Sequence, residues 1–487
     1  MTDTPIFEGL MAHREKHYSP FHTPGHLNRG FLPQELLTLD FTELPDTDAL
    51  FEADGMIARG EEHLTRLYGS ARSLISAGGC TLAIQAMLAL ACTGGRKLLF
   101  ARNSHRSAVN TAALLGIDPI WLLPESGGGF TGRVSASAVA QALEEHPDAA
   151  GVYITSPSYY GELSDIPGIA EVCRRHGALL LVDNAHGSHL AFLQENLHPI
   201  RLGADLCACS LHKTLPVMTG GAALHIADPV LADGARQKMA LFGSTSPSYP
   251  IMASIDLCCG YLSGSGRDAY RRLEPRVARI KRLAADRGLS QPEGRCDPLR
   301  VSIRTADAGL RGQQAQTAYF HRHLIEPEMC DGTNVVLLCS PFHTEEDFTR
   351  VEQAISGLTA ETSVPEHTPS PLPEKVLTPR EAVLSESERV AVSDAVGRIA
   401  AESACPCPPG IPVVVPGERI GAPEASLLLR SGIDTLLCVR GTFTRRGDFH
   451  EKVPPTPPKA AVRVVRRFRR VTDNGGEGCT QVPASHG

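Results

Sequence analysis

The stretch LLLVDNAHGSHLAF (Leu179–Phe192), followed shortly by GADLCACSLHKTLP (Gly203–Pro216), holds two apolar runs that each stop at chemically capable side chains. Leu179 to Val182 is unbroken and ends in Asp183, and Leu206 to Cys209 leads into Ser210, His212 and Lys213. Continuous apolar runs of this length predict strands buried on both faces of a parallel sheet. In open α/β sheets ligands sit beyond the carboxyl ends of the strands, so both groups are expected to face one crevice. A lysine there can condense with an aldehyde, and an acid can keep a ring nitrogen protonated. Pyridoxal phosphate requires that pair. An aspartate at a strand end with a distant lysine also occurs in many unrelated α/β enzymes, so the spacing alone leaves the reading open.

The flanking residues sharpen it. FHTPGH (Phe21–His26), TELPDTDAL (Thr42–Leu50), RNSHRS (Arg102–Ser107), SPSYYGELSDI (Ser156–Ile166), VDNAHGSH (Val182–His189) and SLHKTLP (Ser210–Pro216) occur in that order. STSPSYPIMASID (Ser244–Asp256) and CPPGIPVVVPGE (Cys407–Glu418) carry the pattern further. In these blocks the chain resembles the ornithine/lysine/arginine decarboxylases, a family of fold-type-I pyridoxal phosphate enzymes. The resemblance spans Phe21 to Glu418. It implies an α/β fold with a mostly parallel sheet in a large domain, a smaller α/β lobe and a C-terminal domain.

At 487 residues the chain is long enough for two or three domains. Lys plus Arg of 47 against Asp plus Glu of 54 gives a net charge of −7, so no overall basic excess points to nucleic acid. RVVRRFRR (Arg463–Arg470) is the one basic cluster, and it reads as a solvated basic face. MTDTPIFEGL lacks the basic and apolar regions of a signal peptide, and no apolar run is long enough to span a bilayer. A cytoplasmic protein without membrane partners is expected. The 14 cysteines are scattered and read as reduced core thiols. Cys405 and Cys407 have no second Cys/His pair at zinc spacing, so no metal is expected.

Residues 1–50, rich in Pro, Gly and His, read as an arm with short helices. From 51 to 266 strand-like runs (KLLF, PIWLL, AGVYITS, the two strands above and AALHI) alternate with helical patterns, which predicts a parallel sheet covered on both faces. Residues 267–361 suggest a second, smaller α/β lobe with long charged helices and the strand-like NVVLLCS (Asn334–Ser340). Residues 362–379 carry five prolines, Pro365, Pro369, Pro371, Pro373 and Pro379, and read as a linker. Residues 380–487 read as a C-terminal domain. It opens with a helical segment over Arg380–Glu402 and ends in a mobile tail.

Lys213 is the expected imine-forming amine, with a surface lysine opening a helix as the plain alternative. Asp183 is expected at the pyridine nitrogen, against an ordinary turn aspartate. SAGGCT (Ser76–Thr81) precedes the apolar helix LAIQAMLALAC and offers backbone amides to a phosphate, although such a stretch is also an ordinary helix entry. The resemblance implies further roles. Ser210 and His212 would approach the phosphate, His105 would stack on the cofactor ring, and His186 would sit near the ring oxygen or the substrate carboxylate. Cys80 stands where the family usually has a serine, so Thr81 and the amides of Gly79 and Cys80 would carry more of the phosphate. Asn184 departs from the acid found in many relatives. Ser246 would reach a partner subunit's phosphate. His22 and His26 have a spacing that suggests a metal pair, but Pro24 and Gly25 interrupt any helix, and the arm reading is preferred. Glu43, Asp46 and Asp48 would recognise the substrate's distal cation or form a solvated loop.

The expected activity is decarboxylation of arginine, lysine or ornithine to a polyamine precursor, in a homodimer with shared active sites. The family's large acid-induced members carry an extra response-regulator-like N-terminal domain, and the chain resembles the short form. Aminotransfer or side-chain elimination on the same fold would use the same Lys213 and Asp183. A non-catalytic cofactor-binding homologue is the remaining rival, against which the intact Lys213, Asp183, His105 and His186 argue.

Overall fold

The computed structural model describes residues 4–16, 38–92, 97–125, 130–359, 372–405 and 412–441. FHTPGH, the basic cluster, Cys407 and residues 362–371 therefore lie outside the described residues.

Seven strands form the central sheet: β1 (Arg72–Ser76), β2 (Leu98–Ala101), β3 (Pro119–Leu122), β4 (Gly151–Thr155), β5 (Leu179–Asp183), β6 (Leu206–Cys209) and β7 (Ala222–Ile226). Their order is β1-β7-β6-β5-β4-β2-β3. β3, β2, β4, β5 and β6 pair in parallel. β7 runs against both of its neighbours, β6 and β1. The strands are short apolar runs because both faces are covered. Leu181, Ala208 and Leu224 pack on one face with Leu82, Ala86 and Met87 of the helix Gly79–Ala91. Leu180, Val182 and Ile154 pack on the other with Ile169 and Val172 of the helix Ile166–His176. Side chains alternate along a strand. Asp183 and Asn184 therefore leave the end of β5 towards opposite faces, which matters below.

At the N-terminus the helix Pro5–Glu15 buries Ile6 and Leu10 in the main core, and its Ile6 and Phe7 amides donate to Asp256 at 2.8 and 3.0 Å. The helix Tyr249–Tyr261 reaches Arg267–Asp286 through a distorted turn in which Gly264 leaves helical geometry (φ −100°, ψ −118°). An antiparallel sheet follows, ordered β8 (Arg300–Arg304), β10 (Asn334–Leu338), β9 (Met329–Cys330).

The helical segment expected over Arg380–Glu402 is corrected. A helix covers Pro379–Leu384, opened by Thr378 and Glu381 in a reciprocal cap, and ends where Ser385 turns extended. Ser387–Ala391 then forms β11, paired with β12 (Thr435–Val439). Cross-strand pairing outweighs the helix preference of Glu388, Arg389 and Ala391. Within the expected linker, residues 372–379 are held, since the Val376 and Leu377 amides donate to the Gly417 carbonyl. Arg102, just past β2, clamps this C-terminal piece. Its guanidinium donates to Glu418 at 2.9 Å and to the Val413 carbonyl at 3.1 Å, and lies 4.9 Å over Trp121.

Asp48 has a structural role of its own. Its carboxylate accepts four backbone amides, from Ala49, Asp54, Gly55 and Ile57, at 2.8 to 3.2 Å, and so fixes the start of the helix Met56–Tyr68. It does so with φ at +66°, a conformation that Asp and Asn tolerate better than alanine. Asp48→Ala is expected to destabilise the protein by about 2–4 kcal/mol, through orphaned amides and backbone strain. Asp48→Asn should cost less. Urea unfolding of both variants checks the order.

Candidate active site

The carboxyl ends of β4, β5 and β6 open into a cavity of about 310 Å³ lined by Asp183, His186, Lys213, His105 and Ser210, among others. The chain turns sharply after β6. Ser210 starts the short helix Leu211–Thr214, and the Lys213 amide donates back to the Ser210 carbonyl. That turn brings the Lys213 side chain into the crevice, where Nζ lies 2.9 Å from His186 Nε2. Burial, followed by the charge of Lys213, holds His186 well below its ordinary pKa. Its imidazole is therefore neutral and accepts from the lysine. The His186 ring leans on Tyr159 with centroids 4.5 Å apart.

Asp183 is 1% exposed. Its carboxylate accepts from the Tyr153 hydroxyl at 3.0 Å and from the Ala185 amide at 3.1 Å. Burial raises its pKa, against the charges of His105 and Lys213 and these two hydrogen bonds. Among the described residues it has no ion-pair partner within salt-bridge distance. A buried carboxylate facing a cavity without a counter-cation suits a protonated ring nitrogen, and on that observation the residues present fit pyridoxal phosphate.

His105 caps the helix Arg106–Leu115, with Nδ1 accepting the Ser107 amide at 3.2 Å and 2.8 Å from the Ser107 hydroxyl. That fixes the ring, and His105 lines the cavity. Burial lowers the pKa of His105, although Asp183 opposes it.

Gly79, which also lines the cavity, starts the helix Gly79–Ala91 with φ at +73°, which favours glycine. Its amide, however, donates to the Gly220 carbonyl at 2.8 Å. The expectation that the Gly79 amide holds a phosphate is therefore corrected, because that donor is committed across the sheet edge. Cys80 and Thr81 line the cavity, and their amides belong to the first helical turn, which a helix leaves without internal partners. His212 Nδ1 is 3.1 Å from the Gly221 carbonyl and 3.3 Å from the Ser210 hydroxyl, an arrangement that leaves its Nε2 for a ligand.

Four other expected residues do not join the cavity within one chain. Ser246 is exposed, with its amide donating to Ser244. Asp46 pairs with His13 at 2.8 Å and with Lys16. Asp48 is occupied by four amides, so its assignment to substrate recognition is withdrawn. Glu43 accepts from Thr42 at 2.7 Å through one oxygen, and its other oxygen is buried without a partner.

Sequence reasoning missed Tyr153 and Arg300. Tyr153 lies mid-strand in an apolar run and looks like core. Arg300 is at the start of β8 and is buried; it donates to the Tyr159 and His186 carbonyls at 2.6 and 3.1 Å and so ties the small sheet to the cavity wall. No motif surrounds it. Asn103, Ser107 and Tyr159 do lie inside the quoted blocks, where the signal was present but unassigned.

The chain is similar to known proteins. The family model described as Orn/Lys/Arg decarboxylase, major domain, matches residues 4–287, and that of the C-terminal domain matches residues 362–430. The chain is 32% identical over 463 residues to the uncharacterized protein YaaO of Bacillus subtilis (strain 168), covering 88% of this chain and 94% of that one. It is 28% identical over 473 residues to an arginine decarboxylase of the same organism, covering 90% and 95%. Among solved structures it resembles the Francisella novicida lysine decarboxylase LdcF, with a TM-score of 0.76 at 17% identity over 90% of this chain and 79% of the other. On the match over its major domain, with Lys213 and Asp183 at one strand-end crevice, the chain belongs to the ornithine/lysine/arginine decarboxylase family of pyridoxal phosphate enzymes.

Proposed function

We propose that the chain releases CO2 from a basic amino acid, with arginine favoured over lysine and ornithine, as a cytoplasmic homodimer with shared active sites. The observation that carries this is the meeting of Lys213, Asp183, His186 and His105 around one cavity at the carboxyl ends of β4–β6. Bound there, pyridoxal phosphate supplies an aldehyde for the substrate amine and a ring that accepts the electron pair left when CO2 departs.

The chain's own side chains then have distinct tasks. Lys213 Nζ holds the cofactor between turnovers, and His186 Nε2 keeps that nitrogen in place as an acceptor. Asp183 retains a proton at the ring nitrogen. His105 limits movement of the ring and shields one face from water. Thr81, Ser210, His212 and the Cys80 amide bind the phosphate, joined by Ser246 of the second subunit. Each CO2 lost requires one proton delivered to the substrate carbon.

Glu43 is the remaining candidate for the substrate's distal cation, since one buried oxygen has no partner. A guanidinium calls for a planar, two-point carboxylate contact, whereas an ammonium accepts any near acid. CO2 release should be highest with arginine among arginine, lysine and ornithine, and Glu43→Gln should raise KM by about tenfold or more with kcat less affected. Turnover of a neutral amino acid alone would refute the basic-substrate reading. Keto-acid formation without CO2 would point instead to aminotransfer.

A further inference from the structure

On the face of the sheet opposite Asp183, three ligand atoms converge that the decarboxylation chemistry does not use. His198 Nε2 is 3.3 Å from Cys209 Sγ and 3.8 Å from Cys207 Sγ, and the two sulfurs are 3.8 Å apart. All three side chains are wholly buried. With metal–sulfur bonds of about 2.3 Å and metal–nitrogen bonds of about 2.0–2.1 Å, a regular zinc tetrahedron has edges of about 3.8 Å between sulfurs and about 3.6 Å between sulfur and nitrogen. The observed triangle matches those edges within a few tenths of an ångström.

The local fold explains the convergence. Cys207 and Cys209 are two apart on β6 and share one face. The turn preceding the helix Pro199–Leu202 lays His198 against them. Asn184, leaving β5 on that same face, brings Oδ1 to 3.4 Å from Cys209 Sγ and so sets an oxygen donor against the cluster. The surroundings hold a further imidazole: His225 stands opposite Cys207 in the β6–β7 ladder, fully buried, its ring 5.4 Å from that of His198, with Nδ1 held 2.7 Å from the Ser73 hydroxyl and Nε2 without a partner.

We propose that His198, Cys207 and Cys209 form a structural zinc site, with Asn184 Oδ1 at or near the fourth position. As each sulfur–zinc bond forms, the thiol proton leaves to solvent. Two thiolates, one neutral imidazole and Zn2+ sum to zero charge, which suits a site closed to water. Soft thiolate donors also disfavour magnesium and calcium. The ion would pin the connection after β5 to the strand whose end carries Ser210 and Lys213.

The test is metal content of the cofactor-loaded enzyme after dialysis, together with the absorption spectrum after cobalt replacement. About one zinc per chain is expected in the wild type and in Cys173→Ser, a buried cysteine elsewhere in the core. Cys207→Ser, Cys209→Ser and His198→Gln should each retain less than about a tenth of that zinc. The cobalt form of the wild type should show thiolate-to-metal charge-transfer absorption, a readout that holds even if a variant fails to fold. Wild-type protein without zinc that takes up no cobalt overturns the proposal, and so does zinc retained equally by the three variants. In either case the cluster is a dry group of hydrogen-bonded thiols.

Discussion

Lys213→Ala should lose essentially all turnover, at least about a thousandfold, or about 4 kcal/mol in the barrier. It should also lose the covalent attachment of pyridoxal phosphate. Lys213 Nζ, 2.9 Å from the neutral His186, has an acceptor that orients its nitrogen without adding charge. Alanine leaves a cavity there and no amine. Borohydride reduction of the wild type followed by peptide mapping should place the cofactor on Lys213. An adduct on another lysine, or near-normal CO2 release by the variant, would remove Lys213 from this role. His186→Ala tests the positioning separately: cofactor attachment should persist while the pH profile of kcat shifts, because the lysine loses its acceptor.

The parallel core and the strand-end lysine and aspartate were legible because they depend on local pattern. LLLVD and LCACS are short apolar runs stopped by polar residues, and buried strands have that pattern wherever they lie in a sheet. The small lobe's sheet was legible only through NVVLL, since β8 and β9 lack a distinctive run. The segment after Pro379 misled because Glu388, Arg389 and Ala391 suit a helix, and the partner that makes them a strand, TLLCV, lies more than forty residues away. Tertiary pairing is invisible to a local reading.

Among site residues, those in a turn after a strand were found, and those acting from another element were not. Arg300 braces the cavity wall from the second sheet by hydrogen-bonding the Tyr159 and His186 carbonyls, and nothing in RVSIR announces it. The Gly79 amide was misjudged for a related reason. A helix N-terminus suggests free donors, but whether one is already spent depends on Gly220, far along the chain. The same limit hid the thiol–imidazole cluster. Zinc spacing is sought as two close pairs along the sequence, whereas here His198 comes from a turn and the two cysteines from one strand.

Asp183→Asn should keep the fold and the cofactor yet lose on the order of a thousandfold in CO2 release, equivalent to about 4 kcal/mol. The carboxylate is buried, held by Tyr153 and the Ala185 amide, and its own burial raises its pKa, so it gains most from a cation placed beside it. A protonated ring nitrogen is that cation, and the pair is stabilised when the ring must take up electrons. Asparagine fills the same space, but its one carbonyl oxygen can accept from only one of the two donors, Tyr153 at Oδ2 or the Ala185 amide at Oδ1, and it carries no charge to hold the proton. The loss should therefore fall on kcat with KM little changed, and the bound cofactor's absorption should shift with pH over a range where the wild type is constant. Tyr153→Phe offers the graded comparison. It removes one donor to Asp183, leaves the charge, and should cost about tenfold or less. If Asp183→Asn turned over near normally with the cofactor's spectrum unaltered, the acid would be a turn residue and the electron sink would need another source of charge.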